Sequence, residues 1–349
     1  MNTFCTIVTP SHLHLARALA KSLETSENNE ILYVLLVNED ESFYPEELPQ
    51  NIKIIKIDEL KRELPKNMCW YFDNFELCNA LKPFIVEWVF QQGFKKVIFL
   101  DADIYVVSPF APIWETLNSY PLLLTPHHIH PPSLGLTYVD ESLVADMGIF
   151  NGGFAGWSAS EKALEILDWM CTRFPIYGFC DRKNGMFVDQ KLLPLLIQYF
   201  HDTIGISKDH RLNIAFWNCH ERRVSIQDEI FFIEGIHAIF FHMSGFRLTS
   251  PSTPCSYLPP QQNAEILAKA PWLSKVMQNY VRLLQSYSDS SVKPLQPFSK
   301  FNGIKLTPKL RRILFRKGYL KYQDREVLAS ITINVLKKIK QTLLPYRNA

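Results

Sequence analysis

A doubly wound α/β sheet with a helical C-terminal extension is the fold this sequence predicts, and three observations predict it. Short apolar runs rich in β-branched residues (Thr3 to Val8, Ile31 to Val37, Val97 to Leu100) alternate with stretches of helical period. Pro10 and Gly93 punctuate the joints between them. A pair of carboxylates, Asp101 and Asp103, stands where the third run ends, and such sheets bind ligands at the carboxyl edges of their strands.

Taken in order, Thr3 to Val8 reads as a buried strand ended by Thr9-Pro10-Ser11. The helix after it has Ser11 as its expected N-cap, with Leu13, Ala16, Leu19, Ala20 and Leu23 on one face. Ile31 to Val37 is an unbroken apolar run of the parallel-sheet kind, and Ile52 to Ile57 alternates as a third strand. Apolar residues at 81, 84, 85, 88 and 89 predict one helix over 79–91, stopped before Gly93. Val97 to Leu100 then predicts a buried strand running into the Asp pair. Residues i and i+2 of an extended segment point to one side, so Asp101 and Asp103 can face the same ligand. Two carboxylates so placed suit a hard divalent cation shared with a substrate phosphate; the alternative is a plain cap on a strand-to-loop transition.

Beyond the pair, Leu122 to Thr125 reads as another strand. His127, His128 and His130 lie in a Pro-rich loop whose spacing fits no tetrahedral zinc pattern, so a surface or acceptor-side loop is expected. Asn151-Gly152-Gly153 permits close backbone approach to a ligand and amide bonding to its hydroxyls, with a simple turn as the alternative. Ser160 to Phe174 is an amphipathic helix, and Asp189 stands at the expected start of a helix over Lys191–Phe200. Helix capping and sugar binding are both open to Asp189. Phe231 to Ile233 and Ala238 to Phe241 read as strands, the second leading into His242, Gly245 and Arg247. These could close a metal and pyrophosphate site, or His242 could be a satisfied structural residue. Residues 250–260 are rich in Ser, Pro and Thr and read as a linker, and 263–286, 308–317 and 326–344 have helical period.

Composition excludes several classes. No GxGxxG follows the first strand and no GxxxxGK[ST] occurs, which counts against dinucleotide and P-loop folds. The seven cysteines show no CxxC or Cys/His cluster, as expected of reduced thiols in a cytoplasmic protein. No signal peptide and no run of apolar residues long enough to span a membrane are evident. Net charge is +2, but residues 305–349 hold twelve Lys/Arg and two Asp/Glu, leaving 25 basic and 33 acidic residues elsewhere. That basic, amphipathic stretch either packs on the body with its charges in water or makes peripheral contact with anionic lipid on the inner face of the plasma membrane. No aromatic-basic platform accompanies it, so nucleic acid is not an expected partner.

With these pieces placed, the chain resembles the nucleotide-sugar glycosyltransferases of the GT-A (Rossmann-like) fold. It is most like the family 8 type that includes glycogenin and the bacterial lipopolysaccharide glycosyltransferases. The likeness spans residues 1–247 and rests on the first strand with Thr9, Leu81-Lys82-Pro83, Phe99-Leu100-Asp101-Ala102-Asp103, Phe150-Asn151-Gly152-Gly153 with Asp189-Gln190, and His242-x-x-Gly245. It implies a catalytic domain over 1–249, a linker over 250–262 and a helical, basic extension over 263–349. It further implies Mn²⁺ or Mg²⁺ on Asp101, Asp103 and His242. A UDP-sugar donor would lie against Val8, Thr9, Lys82, Ala102, Asn151, Gly152, Gly153, Gly245 and Arg247. Asp189 and Gln190 would serve the sugar and the reacting face. Trp217 to Arg222 has no secure counterpart in the family: it reads as a polar turn on the acceptor side, or Glu221 or His220 there is a base toward the acceptor hydroxyl, with Asp140 a further candidate if the reaction inverts. The family's usual His-x-x-Gly-x-x-Lys-Pro-Trp is here His242-Met-Ser-Gly245-Phe-Arg247, with Arg247 standing in for the lysine. The implied reaction is hexose transfer with retained configuration onto a glycan or lipid-linked saccharide. A non-catalytic binding module of the same fold and a nucleotidyltransferase are the alternatives.

Overall fold

The computed structural model describes residues 1–37, 48–65, 67–287, 300–301 and 304–318. The chain opens with β1 (Asn2–Val8), makes a 3₁₀ turn over Pro10–His12 and enters α1 (Leu13–Thr25). Pro10 starts helical turning early, so Ser11 lies inside that turn and does not cap α1. There follow β2 (Leu32–Leu36), β3 (Ile52–Lys56), α2 (Met68–Tyr71), α3 (Asn74–Ala80) and α4 (Lys82–Gln91). The single helix expected over 79–91 is thus two, jointed at Leu81, because Pro83 is tolerated in a first turn but not inside a helix.

β4 (Lys96–Leu100) is followed by β5 (Ile104–Val106), α5 (Ala111–Thr116), β6 (Leu122–Pro126), α6 (Glu141–Met147), β7 (Phe150–Ser158) and α7 (Glu161–Tyr177). Next come β8 (Cys180–Asp181), β9 (Met186–Phe187), α8 (Leu193–Phe200), β10 (Ile204–Ile206), β11 (Val224–Gln227), β12 (Ile230–Ile233), β13 (Ile236–His237) and β14 (Phe240–His242). The chain ends, among the described residues, with α9 (Pro260–Lys269), α10 (Leu273–Gln285), β15 (Lys300–Phe301), β16 (Ile304–Lys305) and α11 (Pro308–Arg316).

Seven strands form one mixed, doubly wound sheet in the order β10-β6-β7-β4-β1-β2-β3. All neighbours run parallel except β7, which is antiparallel to both β4 and β6. β2 and β4 are buried on both faces, which is why they read as unbroken apolar runs, whereas the edge strand β3 alternates. On one face Phe84, Ile85 and Val89 of α4 and Ile166 and Leu167 of α7 pack over Cys5, Val97 and Phe99. On the other, Ala16, Leu19 and Leu23 of α1 cover Phe4, Val34 and Ile98. A third cluster joins Val276, Met277 and Tyr280 of α10 to Ala18 and to Phe231 and Phe241.

The first part of the basic stretch packs on the body. Leu310, Leu314 and Phe315 of α11 enter the same core as Tyr71 and Phe179. The period over 326–344 lies outside the described residues. Among those described, no helix is long and apolar enough to cross a membrane.

Candidate metal centre

β4 carries Val97, Ile98, Phe99 and Leu100 through the core and delivers Asp101 at its carboxyl end. Asp101 N–H donates to the Gly153 carbonyl (2.8 Å), and Ile104 N–H donates to the Asp101 carbonyl (3.1 Å), which folds the Asp101–Asp103 segment into a tight turn. β5 then leaves the main sheet and pairs antiparallel with β14, with His242 opposite Ile104. Met243 N–H donates to the Asp103 carbonyl (2.9 Å). Backbone ladder geometry, rather than side-chain attraction, therefore sets the imidazole beside the aspartates. His242 Nε2 lies 3.2 Å from Asp103 Oδ1, and ligand atoms of Asp101, Asp103 and His242 lie within 4.8 Å of one another. Two carboxylates and one imidazole at that spacing fit a divalent ion that accepts oxygen and nitrogen, such as Mn²⁺ or Mg²⁺.

Lys82 opens α4 and reaches this group from below. Its Nζ donates to the Gly152 carbonyl (2.8 Å) and to Asp189 Oδ2 (3.0 Å), and stands 3.3 Å from Asp101 Oδ1 over the Phe99 ring. The expectation was a direct contact to donor phosphate or sugar; here its ammonium protons face protein acceptors. Burial alone would depress the Lys82 ammonium, but Asp101 and Asp189 hold it above its usual range. Burial lifts the Asp101 carboxyl, against the pull of Lys82. Burial works the same way on Asp103, yet the His242 ring beside it wins and holds that carboxyl below its usual range. His242 is correspondingly held high by Asp103 despite its burial.

The Asn151-Gly152-Gly153 segment lies where the β6–β7 register shifts between Leu124 and Thr125. The glycines, expected to permit close approach of a ligand, leave room here for protein side chains. A Cβ on Gly153 would stand 2.9 Å from His242 Nδ1, and one on Gly152 would stand 2.9 Å from Asp189 Cγ. Asn151 Oδ1 accepts from Gly153 N–H (2.9 Å), and its Nδ2 faces His127 Nε2 (3.2 Å) and Gln190 Oε1 (3.3 Å). Gln190 Oε1 also accepts from Gly152 N–H (3.1 Å). Asn151 and Gln190 thus brace β7 against one another.

Asp189 does not cap a helix with its side chain. α8 begins only at Leu193, and the Asp189 side chain turns to Lys82, its Oδ1 buried without a hydrogen-bond partner among the described residues. His127 is not on the surface either: it is buried against Trp217, and burial pushes its imidazole down to about 3, so it is neutral. The loop turns inward because the Asn151 amide and the Asn218 amide, which donates to the His127 carbonyl (3.3 Å), both need partners there.

Val8 ends β1 and Thr9 follows it, both buried, with Thr9 Oγ1 2.9 Å from His12 Nδ1, and Ala102 is buried between the aspartates. Gly245 has φ +74, and a Cβ there would stand 2.8 Å from the Tyr257 ring. Arg247 is exposed and acts electrostatically on Tyr257. Glu221 is committed elsewhere. It accepts from Ile129 N–H (3.0 Å) and His130 N–H (2.6 Å) and pairs with Arg222 (2.9 Å).

Sequence reasoning missed Asn213 and Trp217. Asn213 Oδ1 lies 3.0 Å from His242 Nδ1, and the Trp217 ring meets the His242 ring edge-on at 5.1 Å. The one signal was a polar residue set between Leu212 and Ile214, which no local period ties to His242.

No family model matches the chain. YfnF of Bacillus subtilis (strain 168), an uncharacterised protein, is 26% identical over 253 residues, 71% of this chain and 83% of that protein. Among solved structures, the fold is similar to the galactosyltransferase LgtC in complex with donor and acceptor sugar analogues (14% identity, 84% of this chain and 98% of that one, TM-score 0.44). It is also similar to mouse xyloside xylosyltransferase 1 (14% identity, 69% and 97%, TM-score 0.40).

Proposed function

We propose that this chain is a metal-dependent glycosyltransferase that moves a hexose-type sugar from a nucleoside diphosphate donor, UDP in the first instance, to a hydroxyl of a glycan or lipid-linked saccharide. The observation that carries the reading is the convergence of Asp101, Asp103 and His242 within 4.8 Å at the carboxyl edge of the sheet. A degenerate binding module would be under no pressure to keep all three. Mn²⁺ or Mg²⁺ bound there would act as a Lewis acid toward the leaving diphosphate, where charge develops.

The remaining roles fall to the chain itself. Lys82 holds Asp101 and Asp189 in place through its buried ammonium. Asp189 Oδ1, buried, has no hydrogen-bond partner among the described residues, which suits acceptance from a sugar hydroxyl once donor is bound. Gln190 and Asn151 fix the β7 backbone beside it. Arg247, exposed, is the cation for the diphosphate. Val8, Thr9, Ala102 and Gly245 line the nucleotide side. Retained configuration is favoured by the resemblance to the family 8 enzymes alone; inversion would need a base opposite the donor, for which Glu221, His220 and Asp140 are the candidates. Glu221 is held by backbone N–H groups and Arg222, and Asp140 accepts from Leu143 N–H (2.8 Å) at the start of α6.

The test is a panel of UDP- and GDP-sugars assayed for Mn²⁺-dependent hydrolysis and thermal stabilisation. Asp103→Asn is expected to remove both metal responses while circular dichroism stays native. Full activity of that variant with added Mn²⁺ overturns the metal role, and no response to any donor in the wild type overturns the transferase reading.

A further inference from the structure

An imidazole can give a metal only one nitrogen, and only the nitrogen without a proton. For His242 the nitrogen facing Asp103 is Nε2, at 3.2 Å, so the neutral ring must carry its proton on Nδ1 to serve as a ligand. Nδ1 points away from the aspartates and meets Asn213 Oδ1 at 3.0 Å. Both residues are sealed from solvent, Asn213 at 1% exposure and His242 at 5%, so water does not compete for that bond.

The backbone makes this meeting obligatory. Ile214 N–H donates to the Phe240 carbonyl (3.2 Å), and His242 N–H donates to the Ile214 carbonyl (2.8 Å), so residue 213 is laid alongside the end of β14. Asn213 itself takes a left-handed conformation (φ 52), and its carbonyl accepts from Asn218 Nδ2 (2.9 Å). The Trp217 ring and Gly153 close the other sides of the imidazole. The 213–218 segment is therefore the cradle of His242.

We infer that Asn213 is a positioning residue: its amide oxygen accepts from His242 Nδ1–H, fixes that tautomer, and leaves the Nε2 lone pair aimed at the cation site. This rests on the metal reading above. The opposite amide orientation would put Nδ2 against Nδ1 and the proton on Nε2, a ring that donates to Asp103 and cannot ligate.

Isothermal titration of Mn²⁺ into the full chain tests the inference, with wild type, Asn213→Leu and Asn213→Asp compared. Asn213→Leu is expected to weaken Mn²⁺ binding about 10- to 100-fold, whereas Asn213→Asp, which keeps an acceptor in place, binds at least as well as wild type. Equal affinity in wild type and Asn213→Leu overturns it, as does Asn213→Asp as weak as Asn213→Leu. A ¹⁵N spectrum of the metal-free wild type at alkaline pH reads the tautomer directly: an Nδ1–H ring at His242 supports the assignment and an Nε2–H ring overturns it. That spectrum decides even if Asn213→Leu does not fold. It also separates the two ideas, because a wild type that binds no Mn²⁺ sinks the metal reading while the tautomer still judges Asn213.

Discussion

A methyl group at Gly153 would press on the His242 ring and on Asn151 Oδ1, 2.9 Å away, with no flexible side-chain end to yield. A methyl at Gly152 would strike the Asp189 carboxylate, itself tied to Lys82. Gly156 on the same strand makes the control, since its Cβ would meet only the end of Leu117, 3.1 Å away. Gly153→Ala should therefore weaken Mn²⁺ binding by about tenfold or more, as expected when a ligand ring is displaced. Gly156→Ala should leave the metal titration unchanged. A Gly153→Ala protein with a wild-type titration would mean that the ring is free to move. At this scale the two aspartates of the candidate site were legible, because carboxylates spaced i, i+2 after a buried strand are a local pattern. Asn213 and the inward turn of His127 were not, since each is defined by a partner far along the chain. The glycines were legible as sites needing glycine, but the side chains that crowd them, Asp189 and His242, were not, because both lie far along the chain.

Helix α11 shows what periodicity can and cannot say about an element. Its apolar stripe was readable, but the direction of its arginines was not, because a long basic side chain can face water, lipid or protein carbonyls equally well. In the structure Arg311 Nη1 donates to the carbonyls of Trp70 (2.5 Å) and Phe72 (2.7 Å), at the C-terminal end of α2, where helices leave carbonyls without partners. Arg312 donates to the Cys180 carbonyl (2.6 Å) and pairs with Asp181 (3.1 Å). Loss of a buried, charge-assisted set of this kind costs about 2–3 kcal/mol, so Arg311→Ala should lower unfolding stability by that order in urea melts. Arg316, with 63% of its side chain exposed, pairs with the same Asp181 at 3.6 Å. Its replacement by Ala should shift stability by less than about 1 kcal/mol. Equal effects from the two variants would show that α11 does not dock through Arg311.

Across the whole molecule, alternation of strands and helices was enough to anticipate β1 to β4 and β6, since buried parallel strands leave a continuous apolar signature; central, antiparallel β7 was not, because Gly152, Gly153 and Gly156 interrupt its run and read as a turn or a ligand loop. The β5–β14 pairing that completes the candidate site left no such trace: Ala238 to Phe241 reads as a strand, but nothing in its pattern names β5 as its partner. A second long-range closure occurs at Glu76, 1% exposed on α3. Its carboxyl accepts from Asp73 N–H (3.0 Å) and Cys180 N–H (2.8 Å) and lies 3.6 Å from Arg312, so α3, β8 and α11 meet on one group. Burial, with the Asp73 carboxylate adding to it, lifts the Glu76 carboxyl from 4.5 to about 7 against those N–H groups and Arg312. The folded state then binds an extra proton between those two values, and unfolding stability falls as pH rises through that window. The contribution is complete below about 4.5 and gone above about 7. Thermal melts at about pH 5 and about pH 7.5 should show wild type gaining on Glu76→Gln at the lower pH, by at most about 3 kcal/mol. Wild type losing ground to Glu76→Gln on acidification would instead make Glu76 an ionised partner of Arg312, and the three segments would be joined by a salt bridge rather than by a shared proton.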